Sequence, residues 1–259
     1  MGTALITGAS SGLGLEFAWQ LAAEGHDVVL VARRAGALQE IAEEIRNVAG
    51  TGVEVLPADL ATAKGRSAVA ARLRAGRPEA APIGLLVNNA GFGLGQTVIG
   101  GDLAKERAGL EVMVRAVLEL SHVAANAMVV RGRGAILNVS SATALTAMGT
   151  YAAHKAWVRT FTESLASELR GSGVTATALS PGLVHTGFHA ASGQDDSVYP
   201  DWTFLDAQDV VQAGLDAVRR GQVICTPSVR YKAVNAFLRL APRALVRRVA
   251  GAGLTREAL

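Results

Sequence analysis

Ala4-Leu5-Ile6-Thr7-Gly8-Ala9-Ser10-Ser11-Gly12-Leu13-Gly14 decides how the rest of the chain is read. A short β-rich run passes through a glycine-rich turn straight into a helical pattern that reaches about Glu24. Glycines there let the backbone turn tightly and approach a pyrophosphate, which would sit where the free N–H groups of the helix N-terminus point. The same residues could form a plain structural turn. Their place between a first strand and a first helix favours the dinucleotide reading, with Gly8, Ser10, Ser11, Gly12, Leu13 and Gly14 as contacts.

Working outward, β-rich runs at 27–32, 53–56, 83–87, 135–139, 174–179 and 222–225 alternate with helical patterns at 35–48, 62–75, 103–130, 151–170 and 206–219. Such alternation predicts an α/β fold of the Rossmann type: a doubly wound, mostly parallel seven-stranded sheet with helices on both faces. No repeat, low-complexity tract or interdomain linker interrupts it, so residues 1–259 are expected to form a single domain. A substrate loop is expected at about 183–205 and a helical tail at about 228–250.

Half the residues are hydrophobic and 18% are charged, enough apolar material for a large core. The absence of an 18-residue apolar run argues against a membrane span, and the N-terminus lacks the pattern of a secretory signal. A lone Cys225 in an apolar run suits a buried thiol in a reducing cytoplasm. Five dispersed histidines and one cysteine offer no metal cluster, so no metal is expected. The net charge of +3 is unevenly spread: residues 217–256 carry nine Arg or Lys and no Asp or Glu, whereas the residues before them carry 16 basic and 21 acidic. Basicity therefore belongs to the tail and not to the whole surface, and nucleic acid is not an expected partner.

Strand ends carry the chemistry. After the second run come Arg33 and Arg34. An acid there would bind a ribose 2′-hydroxyl, whereas arginine pairs with a 2′-phosphate, so NADP(H) is preferred over NAD(H). The alternative is an arginine pair that merely caps a strand. Asn88-Asn89-Ala90-Gly91 closes the fourth run, and its asparagines can tie strands or simply form a turn. Tyr151 and Lys155 lie one helical turn apart. The ammonium should pull the tyrosine pKa down from about 10, fitting it to exchange a proton with a carbonyl oxygen, and Ser141 could hold that oxygen. Tyr-x-x-x-Lys also occurs on solvated helix faces. His154 should point about 100° away from Lys155 and face solvent. His185 and His189 lie where substrate would be covered. Phe92, Leu94, Leu145, Met148, Phe188, Tyr199 and Trp202 could line an apolar pocket.

Together Thr7 to Gly14, Asn88 to Gly91, Ser140-Ser141, Tyr151 to Lys155, and Pro181-Gly182 with Thr186 resemble the short-chain dehydrogenase/reductase family, in its order and over residues 3 to about 220. The resemblance implies an NADP(H)-dependent oxidoreductase interconverting a carbonyl and an alcohol. It makes Tyr151 the general acid/base, Lys155 the residue that tunes it and binds the nicotinamide ribose, and Ser141 the one that positions the carbonyl. It puts Asp59 by the adenine, Asn88, Ala90 and Gly91 along the adenosine ribose, and Val184 and Thr186 near the carboxamide, with Leu60, Pro181 and Gly182 as further cofactor contacts. It also implies a homodimer or homotetramer through the helices at 103–130 and 151–170, whose apolar residues include Leu110, Met113, Val117, Leu120, Val158, Phe161 and Leu165.

Two features depart from the family. Ser141 precedes Tyr151 by 10 residues where 13 is common, so one pocket wall should differ. Met113 stands where many relatives have an asparagine that supports a proton relay, and a thioether cannot make an amide's hydrogen bonds. That substitution keeps open an alternative function, an NADP(H)-binding redox sensor with little catalysis. The tail is expected to pack its apolar side on the domain with its arginines solvated, and peripheral attachment to an anionic membrane is the lesser alternative.

Overall fold

A computed structural model describes residues 2–76, 78, 80–186 and 200–251. Its sheet has the order β3-β2-β1-β4-β5-β6-β7. The strands are β1 (Thr3–Thr7), β2 (Asp27–Ala32), β3 (Val53–Pro57), β4 (Ile83–Asn88), β5 (Gly134–Val139), β6 (Val174–Leu179) and β7 (Ile224–Cys225). All six pairings are parallel. Order reverses between β1 and β4, which opens a crevice beyond their carboxyl ends. β1 is buried along its whole length, as expected of a strand covered on both faces.

One face is covered by α1 (Gly12–Ala23), α2 (Ala35–Ala49) and α7 (Ala207–Arg219) through Phe17, Leu21, Leu38, Ile45, Val210 and Leu215. The other is covered by α3 (Ala63–Arg74), α5 (Ala116–Arg131) and α6 (Gly149–Glu168) through Val69, Leu73, Leu120, Met128 and Leu165. By length and composition Leu103–Arg131 could cross a bilayer, but it is a core helix packed against α3 and the sheet. It is also not one regular helix. α4 (Leu103–Leu110) and α5 are joined by a π-helical turn, Glu111–Arg115, which absorbs an extra residue and carries Met113 inward to 1% exposure. Buried Arg66 clamps this turn. It pairs with Glu111 and Glu119, both at 2.9 Å, and donates to the carbonyls of Leu60 and Ala61.

Five of the seven apolar residues expected to serve an oligomer (Met113, Val117, Leu120, Val158, Leu165) are buried in the protomer's own core. Among the described residues, exposed apolar side chains on these helices are Leu103, Leu110, Leu118, Val129 and Val130, and Trp157 stacks on Phe161, which packs partly against the core.

Pro242 splits the tail into α8 (Val229–Leu240) and α9 (Arg243–Val249), as proline's missing N–H requires. The tail corrects the expected packing. Tyr231, Asn235 and Val246 face the domain, whereas Phe237, Leu240 and Val249 are 60%, 87% and 59% exposed. Polar side chains, not the apolar ones, dock α8. Arg243 also donates to the Leu145 carbonyl instead of being merely solvated.

Candidate active site

A cleft of about 1130 Å³ runs along the carboxyl ends of the strands. At its β1 end the backbone of Gly8 takes φ +69° and that of Gly12 takes +54°, the left-handed region that suits glycine. A Cβ on Gly14 would stand 2.2 Å from the Gly8 carbonyl, so loop and helix can close only on a glycine. Ser11 does not cap α1 with its side chain, and no acid sits in the first turn. The N–H groups of that turn are therefore left for an anion. Arg33 and Arg34 line the cleft at the end of β2, Asp59 and Leu60 at the end of β3. Thr186 stands over the loop, 3.5 Å from where a Gly12 Cβ would be. This cradle fits a dinucleotide: a pyrophosphate at the helix, with two cations at the adenosine end.

Thr7 sets the switch point. Its hydroxyl donates to the Val87 carbonyl and accepts from the N–H groups of Asn89 and Ala90, both at 3.0 Å. Two expected cofactor contacts lie elsewhere. Gly14 is buried behind the loop, where its service is close approach. Asn88 is buried beneath the cleft and donates to Asn138 at 2.9 Å and Ser121 at 3.0 Å. Both its donors and its position go to tying β4 to β5, and Asn89 faces the cleft in its place. Every other expected contact borders the cleft: Ser10, Leu13, Ala90, Gly91, Pro181, Gly182 and Val184 among them.

At the far end Ser141, Tyr151 and Lys155 converge. Ser141 begins a 3-10 turn, Ala142–Leu145, that shortens the connection to α6. Its oxygen accepts from the Thr143 N–H at 3.2 Å and the Thr143 hydroxyl at 2.9 Å. With both lone pairs occupied, its own O–H is what remains to donate, and it hydrogen-bonds Tyr151. Lys155 is 4% exposed and donates to the Val139 carbonyl at 2.8 Å, with its Nζ 5.7 Å from the centre of the Tyr151 ring.

The electrostatics overturn the simple expectation for this pair. Burial raises the Tyr151 pKa well above 10, and the Ser141 hydrogen bond pulls it only partly back. Burial pushes Lys155 down to about 8. Desolvation disfavours both charged forms, and at Tyr151 it outweighs the stabilisation of the phenolate. Met113 contributes to this dryness. Its sulfur and the Lys155 Nζ lie 3.4 and 3.6 Å from a Cβ built on Gly91.

His154 is buried, not exposed as expected, because α6 turns that side towards Gly109 on α4. Burial lowers its pKa against the opposing pull of Glu106. His185 stacks on Phe204 and does not line the cleft. Of the residues expected around an apolar pocket, Phe92, Leu94 and Met148 line it, Leu145 and exposed Trp202 do not, and Phe188, Tyr199 and His189 lie outside the described residues. Val98, Ile99, Val112 and Leu183 add apolar wall.

The model of the family described as short chain dehydrogenase matches residues 2–197. The chain belongs to the short-chain dehydrogenase/reductase family. Galactitol 2-dehydrogenase (L-tagatose-forming) of Cereibacter sphaeroides is 34% identical over 205 residues, 77% of this chain and 78% of that protein. A short-chain dehydrogenase from Sphingobium yanoikuyae, solved in complex with NADPH, is 32% identical with a TM-score of 0.84, over 91% of this chain and 93% of that one. The bulky-bulky ketone specific alcohol dehydrogenase of Comamonas testosteroni is 26% identical with a TM-score of 0.79, over 96% and 98%. Like other members of the short-chain dehydrogenase/reductase family, this chain is an oxidoreductase that works between alcohols and carbonyls with a nicotinamide dinucleotide. Against the family pattern, Met113 alters the surroundings of Lys155 without removing a reacting group.

Tyr231, from α8, escaped sequence reading because 48 residues separate it from its partner. Its hydroxyl accepts from the Leu183 N–H at 3.1 Å and donates to the Thr203 carbonyl at 3.0 Å, and its ring lies flat against Gly182. A Cβ on Gly182 would fall 1.9 Å from that ring. Gly182→Ala is therefore expected to weaken cofactor binding at least about tenfold, and Gly182→Ala combined with Tyr231→Ala to recover part of it, because touching residues couple. Titration of cofactor fluorescence checks this; equal losses in the single and double variants would refute the contact.

Proposed function

We propose that this protein is an NADP(H)-dependent reductase of apolar carbonyl compounds that also oxidises the matching alcohols. The observation carrying this reading is one cleft with Ser141, Tyr151 and Lys155 at one end and Arg33 and Arg34 at the other. Bound there, the reduced nicotinamide supplies a hydride to a carbonyl carbon. Tyr151 donates its proton to the carbonyl oxygen; burial holds the phenol protonated until then, and the Ser141 hydrogen bond, which pulls its pKa down, eases the proton's release. Ser141, held by Thr143, aims its O–H at the same oxygen as charge develops. Lys155, braced by Val139, stands beside the tyrosine to ease its transient negative charge. Apolar walls at Phe92, Leu94 and Met148 favour a substrate with little polarity beyond its carbonyl. Assembly as a homo-oligomer through Leu110, Leu118, Trp157 and Phe161 fits the same reading.

Initial rates with NADPH and a panel of cyclic, aromatic and long-chain ketones, set against sugars, test it. Turnover of sugars alone would refute the apolar substrate.

The sign of the pH dependence follows from Lys155. A lysine pKa lowered to about 8 means that the ammonium is present below that pH and lost above it, while Tyr151 stays protonated throughout. For the unliganded enzyme kcat/KM for NADPH should be level below about pH 8 and fall roughly tenfold per pH unit above it. A profile level to pH 10 would contradict this.

A further inference from the structure

α8 presents its side chains in a definite order around its axis. Tyr231 and Asn235 face the domain, and on the opposite side Val229, Phe237 and Leu240 form an outward apolar stripe. Arg230 borders the stripe on one edge, Lys232 and Arg239 on the other. Trp202, 67% exposed, lies under the Arg230 guanidinium and extends the apolar surface. Beyond Pro242, α9 adds exposed Leu245 and Val249 with Arg247 and Arg248.

Along the Lys232–Arg239 edge a second cavity of about 260 Å³ opens between α8, α6 and β7. Arg159, Lys232 and Arg239 line it, together with Gln222, Thr226 and Asn235. Arg159 is 6% exposed and its Nη1 is buried without a hydrogen-bond partner among the described residues. Glu163, which pairs with Arg159 Nε at 3.3 Å, is the single acid engaged there among the described residues. Three cations against one acid, with a buried guanidinium N–H unused, form a site short of an anion.

We propose that α8 and α9 dock on the interface of an anionic phospholipid bilayer, with the stripe entering the acyl boundary and the Arg159–Lys232–Arg239 cavity taking a headgroup phosphate. Apolar residues flanked by cations, with a tryptophan at the rim, match the chemistry of that interface. A second copy of the chain fits poorly: a two-fold contact would set this basic face against itself, and residues 217–256 contain no Asp or Glu. A soluble polyanion would leave the stripe unused. Docking does not depend on which substrate the enzyme turns over. It would turn the pocket wall held by Tyr231 towards the bilayer.

Co-flotation with vesicles tests the proposal, using equal parts phosphatidylglycerol and phosphatidylcholine against phosphatidylcholine alone, in about 0.1 M salt. The expected result is at least tenfold stronger partitioning to the anionic vesicles, with a blue shift of tryptophan emission that Trp202→Phe abolishes, Trp19 and Trp157 being the other two tryptophans. Phe237→Ser with Leu240→Ser, and separately Lys232→Gln with Arg239→Gln, should each lower it about tenfold or more, given roughly 1 kcal/mol per interfacial cation. Unchanged circular dichroism and thermal midpoints show that the variants fold. No partitioning to anionic vesicles, or equal partitioning to both kinds, overturns the proposal. So does binding that needs the cations but not the stripe, or calorimetric binding of inorganic phosphate as tight as that of vesicles, because either means a soluble anion. Loss of self-association instead of vesicle binding in the stripe variant would assign the face to a second copy.

Discussion

Tyr151→Phe is expected to lower kcat about a thousandfold and leave the Kd for NADPH within about twofold of its original value. A positioned general acid is worth roughly 10²–10⁴ in rate, and this site supplies no substitute at the same place. Ser141, its lone pairs accepting from Thr143, can donate a hydrogen bond to the substrate oxygen, but an aliphatic hydroxyl is too weak an acid to give up its proton there. Lys155 is committed to the Val139 carbonyl. The phosphate end of the cleft, at Gly8–Gly14 and Arg33, is untouched by the substitution, so affinity for the cofactor should persist. Stopped-flow and steady-state rates on one ketone, beside fluorescence titration of NADPH, separate the two quantities. More than a tenth of the original kcat in the variant would sink the mechanism.

Replacing both Arg33 and Arg34 by alanine should weaken NADPH binding about a hundredfold and change NADH binding less than threefold. Each charge-assisted hydrogen bond to a phosphate contributes about 1.5–3 kcal/mol, towards the low end here because both arginines are exposed and screened. The wild-type preference should accordingly shrink as salt rises. Equal wild-type affinities for the two cofactors would refute the assignment of these arginines and leave the remainder of the site standing. Together the two variants divide the cleft into a binding end and a reacting end.

The order of elements, the glycine loop, the cleft-side ends of the strands and the pairing of Tyr151 with Lys155 were legible in the sequence. Each depends on residues a few positions apart, where backbone preference and helical spacing leave few choices. Boundaries held to within a few residues, except where α4 and α5 meet. There a π-helical turn breaks a pattern that reads as one helix, since an inserted residue leaves no mark on apolar periodicity. Asn88 was legible as a strand-end asparagine but not as a buried tie, because its partners Ser121 and Asn138 come from distant segments.

By itself, then, the sequence determined the α/β architecture, the family and the spacing that brings Tyr151 and Lys155 to one helix face, all of them consequences of local geometry repeated along the chain. Tertiary structure alone decided the charge states of Tyr151 and Lys155, because desolvation exists only once β5 and α6 have closed over them. It alone also decided which side of α8 faces outward. The apolar pattern pointed that helix inward, but docking is governed by Tyr231 reaching Leu183 and Thr203 and by Asn235 reaching Thr226, contacts available only in the folded chain.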